Sequence, residues 1–210
     1  MTSTFKSDLS KEKKLANFLD ATYYKDKITF PKNFSIERIY DNNLQHKGVD
    51  IIIKDSKNNL EFYIDEKAQL DFINKKLPTF AFELSYLKNE ILKNGWLFDK
   101  SKITNQYFLM TCIETVNNEF KSCRLLSVDR FKLHIFLKKK NLTQEILRNY
   151  ENDLRRKNEF GKHYIKELLK NEGSLNYTEH KAEKPINIVM QIQCLLDNNI
   201  CIELKPCQLI

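Results

Sequence analysis

The chain has few of the residues that mark linkers, sharp loops and phosphate cradles. Its 210 residues include only 4 glycines, 4 prolines and 1 tryptophan. It contains no Gly-rich phosphate loop, no serine nucleophile elbow and no Ser/His/Asp arrangement, so ATP-driven and covalent mechanisms have no support. It also lacks repeats, low-complexity tracts and a clear linker. We therefore expect a continuously packed chain whose chemistry uses other groups.

Cysteine and histidine show no spacing typical of disulfide frameworks or zinc sites. The five cysteines form no C-x-x-C pair, and the four histidines form no H-x-x-x-H pair. The odd cysteine number and the polar, charged start of the chain argue against a secreted, disulfide-bonded protein. No apolar run approaches the roughly 20 residues of a membrane helix. These absences predict a reduced, cytoplasmic protein without a membrane partner.

Acidic residues are outnumbered by basic ones, 28 to 35, which gives a net charge of +7. The excess is uneven, because residues 41–111 carry 10 basic and 10 acidic side chains whereas residues 112–172 carry 14 and 9. This distribution favours a polyanionic partner such as nucleic acid. A solvated, lysine-rich helical surface would give the same count. The 41% of hydrophobic residues suffices for a packed core.

Two acids and a lysine lie at the ends of two neighbouring predicted strands. Asp50 stands beside one apolar run, Asp65 ends another, and the polar turn 55–59 joins the two runs. Hairpin pairing would bring Asp50 alongside Asp65. Residues i and i+2 share a strand face, so Lys67 should point the same way as Asp65, and Glu66 the opposite way. Two carboxylates can bind Mg²⁺ and a lysine can stabilise developing negative charge, which suits phosphodiester hydrolysis.

The pattern Gly48-Val49-Asp50, a gap of 14 residues, then Asp65-Glu66-Lys67 resembles that of the PD-(D/E)XK nuclease superfamily. This is the fold of many restriction enzymes, Holliday-junction resolvases and RecB-type exonucleases. Val49 replaces the proline of the family name. The resemblance implies an endonuclease or exonuclease that uses Mg²⁺, or Mn²⁺ in its place, on DNA in preference to RNA.

The resemblance also assigns roles to individual residues. Asp50, Asp65 and Lys67 would be catalytic. Asp50 and Asp65 would bind the metal, with Glu66 completing the set through its backbone carbonyl. The plainer interpretation is a hairpin whose solvent face carries ordinary surface charges.

Periodicity and turn residues predict an α/β fold with a mixed central sheet flanked by helices. The expected elements are a helix over 9–24, strands over 34–40, 47–54 and 60–67, a helix over 79–94, and strands over 106–113 and 121–128. The order helix, three strands, helix, strand is the core order of the resembled superfamily. We expect residues 1–128 to form a nuclease core. Residues 129–210 should form a basic extension of helices and strands packed on that core as one unit.

Two further residues are candidates for the site. Glu12 falls on the apolar stripe of the first helix and could add a fourth metal ligand, although a solvated first-turn glutamate is the alternative. Gln69 lies two residues past Lys67 and could bind substrate, or could simply start a loop. RecB-type relatives carry a Gln and a Tyr one turn apart on the helix that follows. Glu83 and Tyr86 have that spacing here, but Glu83 departs from the pattern.

The basic extension supplies candidate phosphate contacts. They are Lys138, Lys139, Arg155, Arg156 and Lys157. Alternative functions are a module of the same fold that binds nucleic acid without cutting it, and a protein-interaction module. A homodimer is a further option that the sequence leaves open.

Overall fold

The structure is a computed structural model that describes residues 3–26, 29–204 and 207–208. The helices of this part of the chain are α1 Ser3–Leu19, α2 Asn42–His46, α3 Arg130–Lys139, α4 Gln144–Lys157 and α5 Ile192–Asp197. Its strands are β1 Phe34–Arg38, β2 Ile51–Asp55, β3 Leu60–Ala68, β4 Thr79–Lys88, β5 Ile91–Asn94, β6 Gln106–Val116, β7 Glu119–Asp129, β8 Gly161–His163, β9 Gly173–Tyr177, β10 Ile186–Gln191, β11 Cys201–Glu203 and β12 Cys207–Gln208. The α/β class expected from the sequence is confirmed.

The chain divides into two compact units, and both are discontinuous. Unit 1 contains residues 1–77, 104–128 and 202–210, and unit 2 contains residues 78–103 and 129–201. This division differs from a core that ends at residue 128 followed by an extension. Residues 78–103 belong with the later part of the chain because β4 pairs with β10 along its length.

A mixed sheet forms the frame of unit 1. The strand order is β1-β2-β3-β6-β7-β11, with β12 also paired to β7, among the residues that the structure describes. Strands β1, β2 and β3 are antiparallel neighbours, and β6 runs parallel to β3. The three early strands and the later β6 and β7 all match expected strands. The parallel pairing requires a crossover connection, since a tight turn cannot join parallel strands.

Helix α1 packs its apolar stripe against this sheet. The sequence predicts a helix over 9–24, and α1 followed by a π-helical turn, Asp20–Tyr24, confirms it. Leu15, Phe18 and Leu19 are buried in a core shared with strand residues such as Ile64. The i, i+3, i+4 spacing of the stripe therefore faces the sheet.

Unit 2 is built on an antiparallel sheet with the order β5-β4-β10-β9-β8 within the described residues. One face carries alternating apolar residues that are fully or almost fully buried, including Phe82, Leu175 and Ile188. Helices α3 and α4 follow where the sequence predicts a helical extension, but residues 158–172 add only the short strand β8. The short apolar runs 174–177, 186–195 and 200–204 predict additional strands or a closing subdomain, and they form β9, β10 with the start of α5, and β11.

The expected helix over 79–94 is wrong, because this segment forms the hairpin of β4 and β5. Phe80, Phe82 and Leu84 are buried with the two-residue period of a strand, rather than with helical spacing. Asn89 and Glu90 have φ values of 51° and 64°, the left-handed conformation typical of a two-residue hairpin turn.

Two interpretations that depended on this helix change with it. Glu83 and Tyr86 lie three residues apart on a strand, so their side chains point to opposite faces rather than along one helical turn. Gly95 does not stop a helix. Its N–H donates to the carbonyl of Leu84 as the chain leaves β5 beside β4.

The sequence predicts that Leu142, Ile146, Tyr150 and Leu154 form the apolar stripe of a helix over 142–157. Leu142 and Leu154 are buried, but Ile146 and Tyr150 are only partly buried, and Leu147 and Glu151 are buried in their place. The buried carboxylate of Glu151 lies 3.3 Å from Arg148, which compensates its charge. A polar residue at the centre of a buried face is not predictable from hydrophobic periodicity.

None of the helices among the described residues combines the length and the hydropathy needed to cross a bilayer.

Gly95 is expected to tolerate no side chain. A Cβ atom at this position would lie 2.3 Å from the carbonyl oxygen of Glu83, which is backbone and cannot move aside cheaply. Gly95→Ala should therefore lower the free energy of unfolding in urea by about 1–3 kcal/mol, the usual range for overpacking. Lys93→Ala, an exposed change on the neighbouring strand β5, should stay within about 0.5 kcal/mol of wild type. Equal stability of the two variants would contradict the close approach.

Candidate functional site

The short helix α2 delivers Asp50 to the sheet. Asp41 caps this helix by accepting a hydrogen bond from the N–H of Leu44 at 2.9 Å. Gly48 ends it with φ 77°, a left-handed conformation that glycine adopts without strain. Thr104 Oγ donates a 2.5 Å hydrogen bond to the Gly48 carbonyl. These contacts fix the point at which the chain enters β2.

The register between β2 and β3 sets Asp50 beside Asp65. Ile51 pairs with Ile64 in antiparallel register. Asp50, which directly precedes β2, therefore falls opposite Asp65 of β3. The N–H of Asp50 donates to the Ile64 carbonyl at 2.8 Å. Asp50 Oδ2 in turn accepts a 2.8 Å hydrogen bond from the N–H of Glu66. The carboxylate of Asp50 is thus held at the end of the hairpin by backbone groups of β3.

Asp65 and Lys67 share a strand face and form an ion pair. Lys67 Nζ donates to Asp65 Oδ1. Asp65 is 3% exposed, so its charge is largely removed from water. Burial raises the pKa of Asp65 to about 6, with Lys67 opposing the shift and the nearby Asp50 carboxyl adding to it. The arrangement brings two acids and one lysine together, as the sequence predicts for Asp50, Asp65 and Lys67.

Glu66 points to the opposite face of β3, where its carboxylate binds Arg38 and Tyr24. Arg38 Nη1 donates to Glu66 Oε2 at 2.7 Å, and the Tyr24 hydroxyl donates to Oε1 at 2.7 Å. Arg38 also forms a two-pronged pair with Asp20, with Nη2 at 2.7 Å and Nε at 2.9 Å from Oδ1. The Tyr24 ring lies 5.6 Å from the guanidinium carbon. One arginine therefore pairs with two carboxylates.

Burial controls the electrostatics of this second cluster. It raises the pKa of Glu66, an effect that the hydrogen bonds from Arg38 and Tyr24 oppose. Burial and the Glu66 carboxylate together raise the pKa of Tyr24 well above its usual value, so the phenol stays protonated and donates. The Glu66 side chain is hydrogen-bonded to Arg38 and Tyr24 on the opposite face. Glu66 could therefore bind a metal at the Asp65 face only through its backbone carbonyl, as the resemblance implies.

Glu12 and Gln69, the two further candidates for the site, differ in their surroundings. Glu12 is exposed on α1, because the inward side of this helix is filled by Leu15, Phe18 and Leu19. Gln69 lies directly after β3, and its N–H donates to the Met110 carbonyl at 3.1 Å, which extends the pairing with β6. Gln69 therefore lies where the strand ends and a single 3-10 turn, Leu70–Phe72, begins, with the Phe72 N–H donating to its carbonyl at 3.0 Å.

The basic residues proposed for nucleic-acid contact lie in unit 2 and differ in their surroundings. Lys138 and Lys139 are exposed in the last turn of α3. Arg156 is exposed and pairs with Asp153. Lys157 is also exposed. Arg155 binds within unit 2 instead, since it donates to Ser85 Oγ at 3.0 Å and to the Lys184 carbonyl at 3.1 Å. We therefore expect Arg155 to stabilise unit 2.

The carboxylates of Asp50 and Asp65 could bind a hard cation that takes few of its ligands from the protein. No group of three or more His, Cys, Asp or Glu side chains in the described parts of the chain is arranged to hold a metal. The adjacent carboxylates of Asp50 and Asp65 nevertheless match Mg²⁺, which is commonly held by one or two carboxylates and keeps several waters. Burial is the main cause of the raised pKa of Asp65 and the neighbouring Asp50 carboxyl adds to it, so a cation bound between the two groups would favour the ionised form of Asp65.

Comparison of the chain with family models, curated proteins and solved structures found no match.

Sequence reasoning missed the cluster on the Glu66 face. Asp20, Tyr24 and Arg38 are individually ordinary residues, and only the packing of the π-helical turn against β1 and β3 brings them together. One signal was available in the sequence. Glu66 continues the two-residue alternation of Leu60, Phe62 and Ile64, which places it on the apolar face of β3, and a buried carboxylate requires a cation partner. Arg38, the only arginine before residue 124, was the nearest candidate.

The ionisation of Asp65 should make the protein less stable as pH rises. The folded pKa of about 6 exceeds the ordinary 3.8, so the folded state holds a proton that the unfolded state releases between these values. Stability from this group is greatest below pH 4 and is lost as pH rises to 6. Asp65→Asn should therefore be more stable than wild type at pH 7.5, by about 1–3 kcal/mol, and the gap should close towards pH 4.

Urea unfolding at several pH values measures this difference. Asp153→Asn, which removes an exposed acid of unit 2, serves as the control and should follow the wild-type pH profile. A constant gap between Asp65→Asn and wild type across the range would contradict the assignment of the buried charge.

Loss of Arg38 should leave Glu66 as a buried charge without its cation. Arg38→Met is expected to lower the free energy of unfolding by about 3–5 kcal/mol, the usual cost of breaking a buried ion pair from one side. Glu66→Gln keeps the shape and a hydrogen-bonding oxygen for Tyr24, so it should destabilise less. In the double variant, the loss should be smaller than the sum of the two single losses. Strict additivity in urea unfolding would show that the pair carries no coupling.

Proposed function

We propose that the chain is a metal-dependent nuclease that hydrolyses phosphodiester bonds, with DNA favoured over RNA. The observation that carries this proposal is the meeting of Asp50, Asp65 and Lys67 at the adjoining ends of β2 and β3. Asp65 is buried and Lys67 is paired to it. If these were ordinary surface charges, there would be no reason for the Asp65 carboxylate to be buried or for a backbone N–H to hold the Asp50 carboxylate in place.

The proposal extends to the fold of unit 1, which we infer to be a restriction-endonuclease-like core. Its support is the succession of α1, three antiparallel strands, and β6 parallel to the strand that carries the acids. One feature departs from the expected order. The segment between β3 and β6 enters unit 2 as the β4–β5 hairpin rather than forming a helix.

Each residue of the site has a distinct part in the proposed reaction. Asp50 and Asp65 would hold Mg²⁺, with the Glu66 carbonyl completing the set, and the ion would supply Lewis-acid activation of the phosphate and of a water. The N–H of Glu66 orients the Asp50 carboxylate. Asp65 holds Lys67 Nζ at the same face. The Lys67 ammonium would stabilise negative charge that develops on the phosphate oxygens, or would position the attacking water.

On the other face of β3, Arg38 and Tyr24 fix the side chain of Glu66. These contacts anchor the strand between its two functional residues, Asp65 and Lys67. The position of β3 thus depends on Asp65 and Lys67 on one face and on the contacts of Glu66 on the other. Arg38 and Tyr24 would act as positioning residues in the proposed enzyme, since neither reaches the Asp65 face.

Cleavage assays on the full chain test the function. Plasmid, linear, single-stranded and branched DNA should be incubated with Mg²⁺, with Mn²⁺ and with chelator. Wild type should cleave at least one substrate only when metal is added. Asp50→Asn, which retains an oxygen for the Glu66 N–H, and Lys67→Ala should each reduce the rate on the order of 10²-fold or more.

The matched control is Lys54→Ala. Lys54 forms a cross-strand ion pair with Glu61 at 2.9 Å in the same hairpin, and both side chains are substantially exposed. Because exposed ion pairs contribute little to stability, its loss should leave both the fold and the cleavage rate unaltered. Equal rates for Lys67→Ala and Lys54→Ala would remove Lys67 from the mechanism. Metal-independent binding without cleavage of any substrate would instead support a non-catalytic nucleic-acid-binding module.

A further inference from the structure

Two lysines of unit 2 converge on one exposed tyrosine. Lys162 lies on β8, Tyr164 directly follows that strand, and Lys170 precedes β9. Lys162 Nζ is 4.7 Å and Lys170 Nζ is 5.3 Å from the centre of the Tyr164 ring. The ring is 52% exposed. Two like charges are thus held over one half-exposed aromatic ring.

The two lysines also line one pocket on a face of the unit 2 sheet. Cross-strand pairing places Lys162 opposite Asn176, Ser174 opposite Val189, and Gln191 opposite Thr79. Residues paired across strands share a face, so these side chains form a mainly polar band over β8, β9, β10 and β4. The opposite face carries the apolar core of the unit. The pocket has a volume of about 160 Å³.

The charge of this pocket is of one sign. Its lining contains Lys162 and Lys170 and no aspartate or glutamate, and no salt bridge of either lysine is formed among the described residues. A hydrogen bond from Lys162 and the charges of both lysines lower the pKa of the Tyr164 phenol, which reports a positive potential at the ring. Hydroxyl and amide groups of Ser174 and Asn176 add neutral donors.

This chemistry matches a phosphate group attached to a planar base. Lysine ammonium groups bind phosphate as point charges, and hydroxyl and amide N–H groups can donate to its oxygens. Exposed aromatic rings beside cationic residues form stacking platforms for unpaired bases. A water occupies about 30 Å³ of liquid, so the pocket has room for a group of phosphate size. In a duplex the bases are stacked within the helix and unavailable to the ring.

We propose that this face of unit 2 binds single-stranded nucleic acid, with Lys162 and Lys170 at a backbone phosphate and Tyr164 against a base. The choice of nucleic acid among phosphate-bearing ligands rests on the proposed nuclease function. The site differs from the basic residues indicated by the sequence. Arg155 binds within the unit and Arg156 pairs with Asp153, whereas Lys162 and Lys170 both line one pocket and both lie over the Tyr164 ring.

Fluorescence anisotropy with a short single-stranded oligonucleotide, in chelator so that no cleavage occurs, measures this binding. Lys162→Gln/Lys170→Gln should weaken binding about tenfold or more and reduce the slope of log Kd against log salt by about 1 to 1.5. Tyr164→Ala should weaken binding about tenfold, whereas Tyr164→Phe, which retains the ring, should stay within about twofold. Thermal unfolding verifies that each variant remains folded.

The matched control is Lys100→Gln/Lys166→Gln, which removes the same charge from two exposed lysines outside the pocket and should bind within about twofold of wild type. If the two double variants bind equally, the proposed site is overturned. Competition by inorganic phosphate that equals competition by a mononucleotide also overturns it, because the ring would then contribute nothing. Preference for duplex of the same sequence does so as well.

The outcomes separate this site from the proposed catalytic function. A protein that binds through Lys162 and Lys170 but never cleaves with Mg²⁺ or Mn²⁺ retains this site and loses the nuclease proposal. A protein that cleaves while the Lys162→Gln/Lys170→Gln variant binds normally loses only the present inference. Wild type that binds no oligonucleotide overturns the site directly.

Discussion

Strand β3 buries two consecutive acids on opposite faces, and each requires its own cation. Asp65 binds Lys67 from the same strand, whereas Glu66 binds Arg38 from β1. A buried carboxylate without a partner would neutralise or destabilise the sheet, so the two pairs constrain how β1, β2, β3 and the end of α1 assemble. The π-helical turn supplies Asp20 and Tyr24 to the same arginine. The candidate site on one face thus depends on a compensating cluster on the other.

The site elements were predictable because they are local. Asp50, Asp65 and Lys67 lie on two strands joined by a short polar turn, and pairing in a hairpin follows from adjacency in sequence. Alternation then dictates which side chains share a face. Arg38 and Asp20 escaped prediction because their meeting depends on packing between α1 and β1. The buried Glu151 of α4 escaped for the same reason, since Arg148 and the sheet of unit 2 determine its environment.

The misassigned segment 79–94 shows where periodicity becomes ambiguous. Phe80, Leu84, Leu87 and Ile91 fit a helical stripe, but Phe80, Phe82 and Leu84 equally fit alternation. Pairing with β10, about a hundred residues later, decides between them. The one short-range signal in the segment is Asn89, a residue type that favours tight turns. Asn89 and Glu90 form the turn between β4 and β5, where a helix would have to continue.

The late arrival of β10 has a consequence for synthesis on the ribosome. At about 5–20 residues per second, roughly 5–20 s pass between emergence of β4 and of its central partner. During this interval Phe80, Phe82 and Leu84 have no β10 to cover them, and only the small β5 hairpin protects one edge. The sheet of unit 1 likewise waits for β11, which follows β7 by more than seventy residues. A chain with this topology should depend on holding chaperones during translation more than a protein of equal length built from contiguous domains.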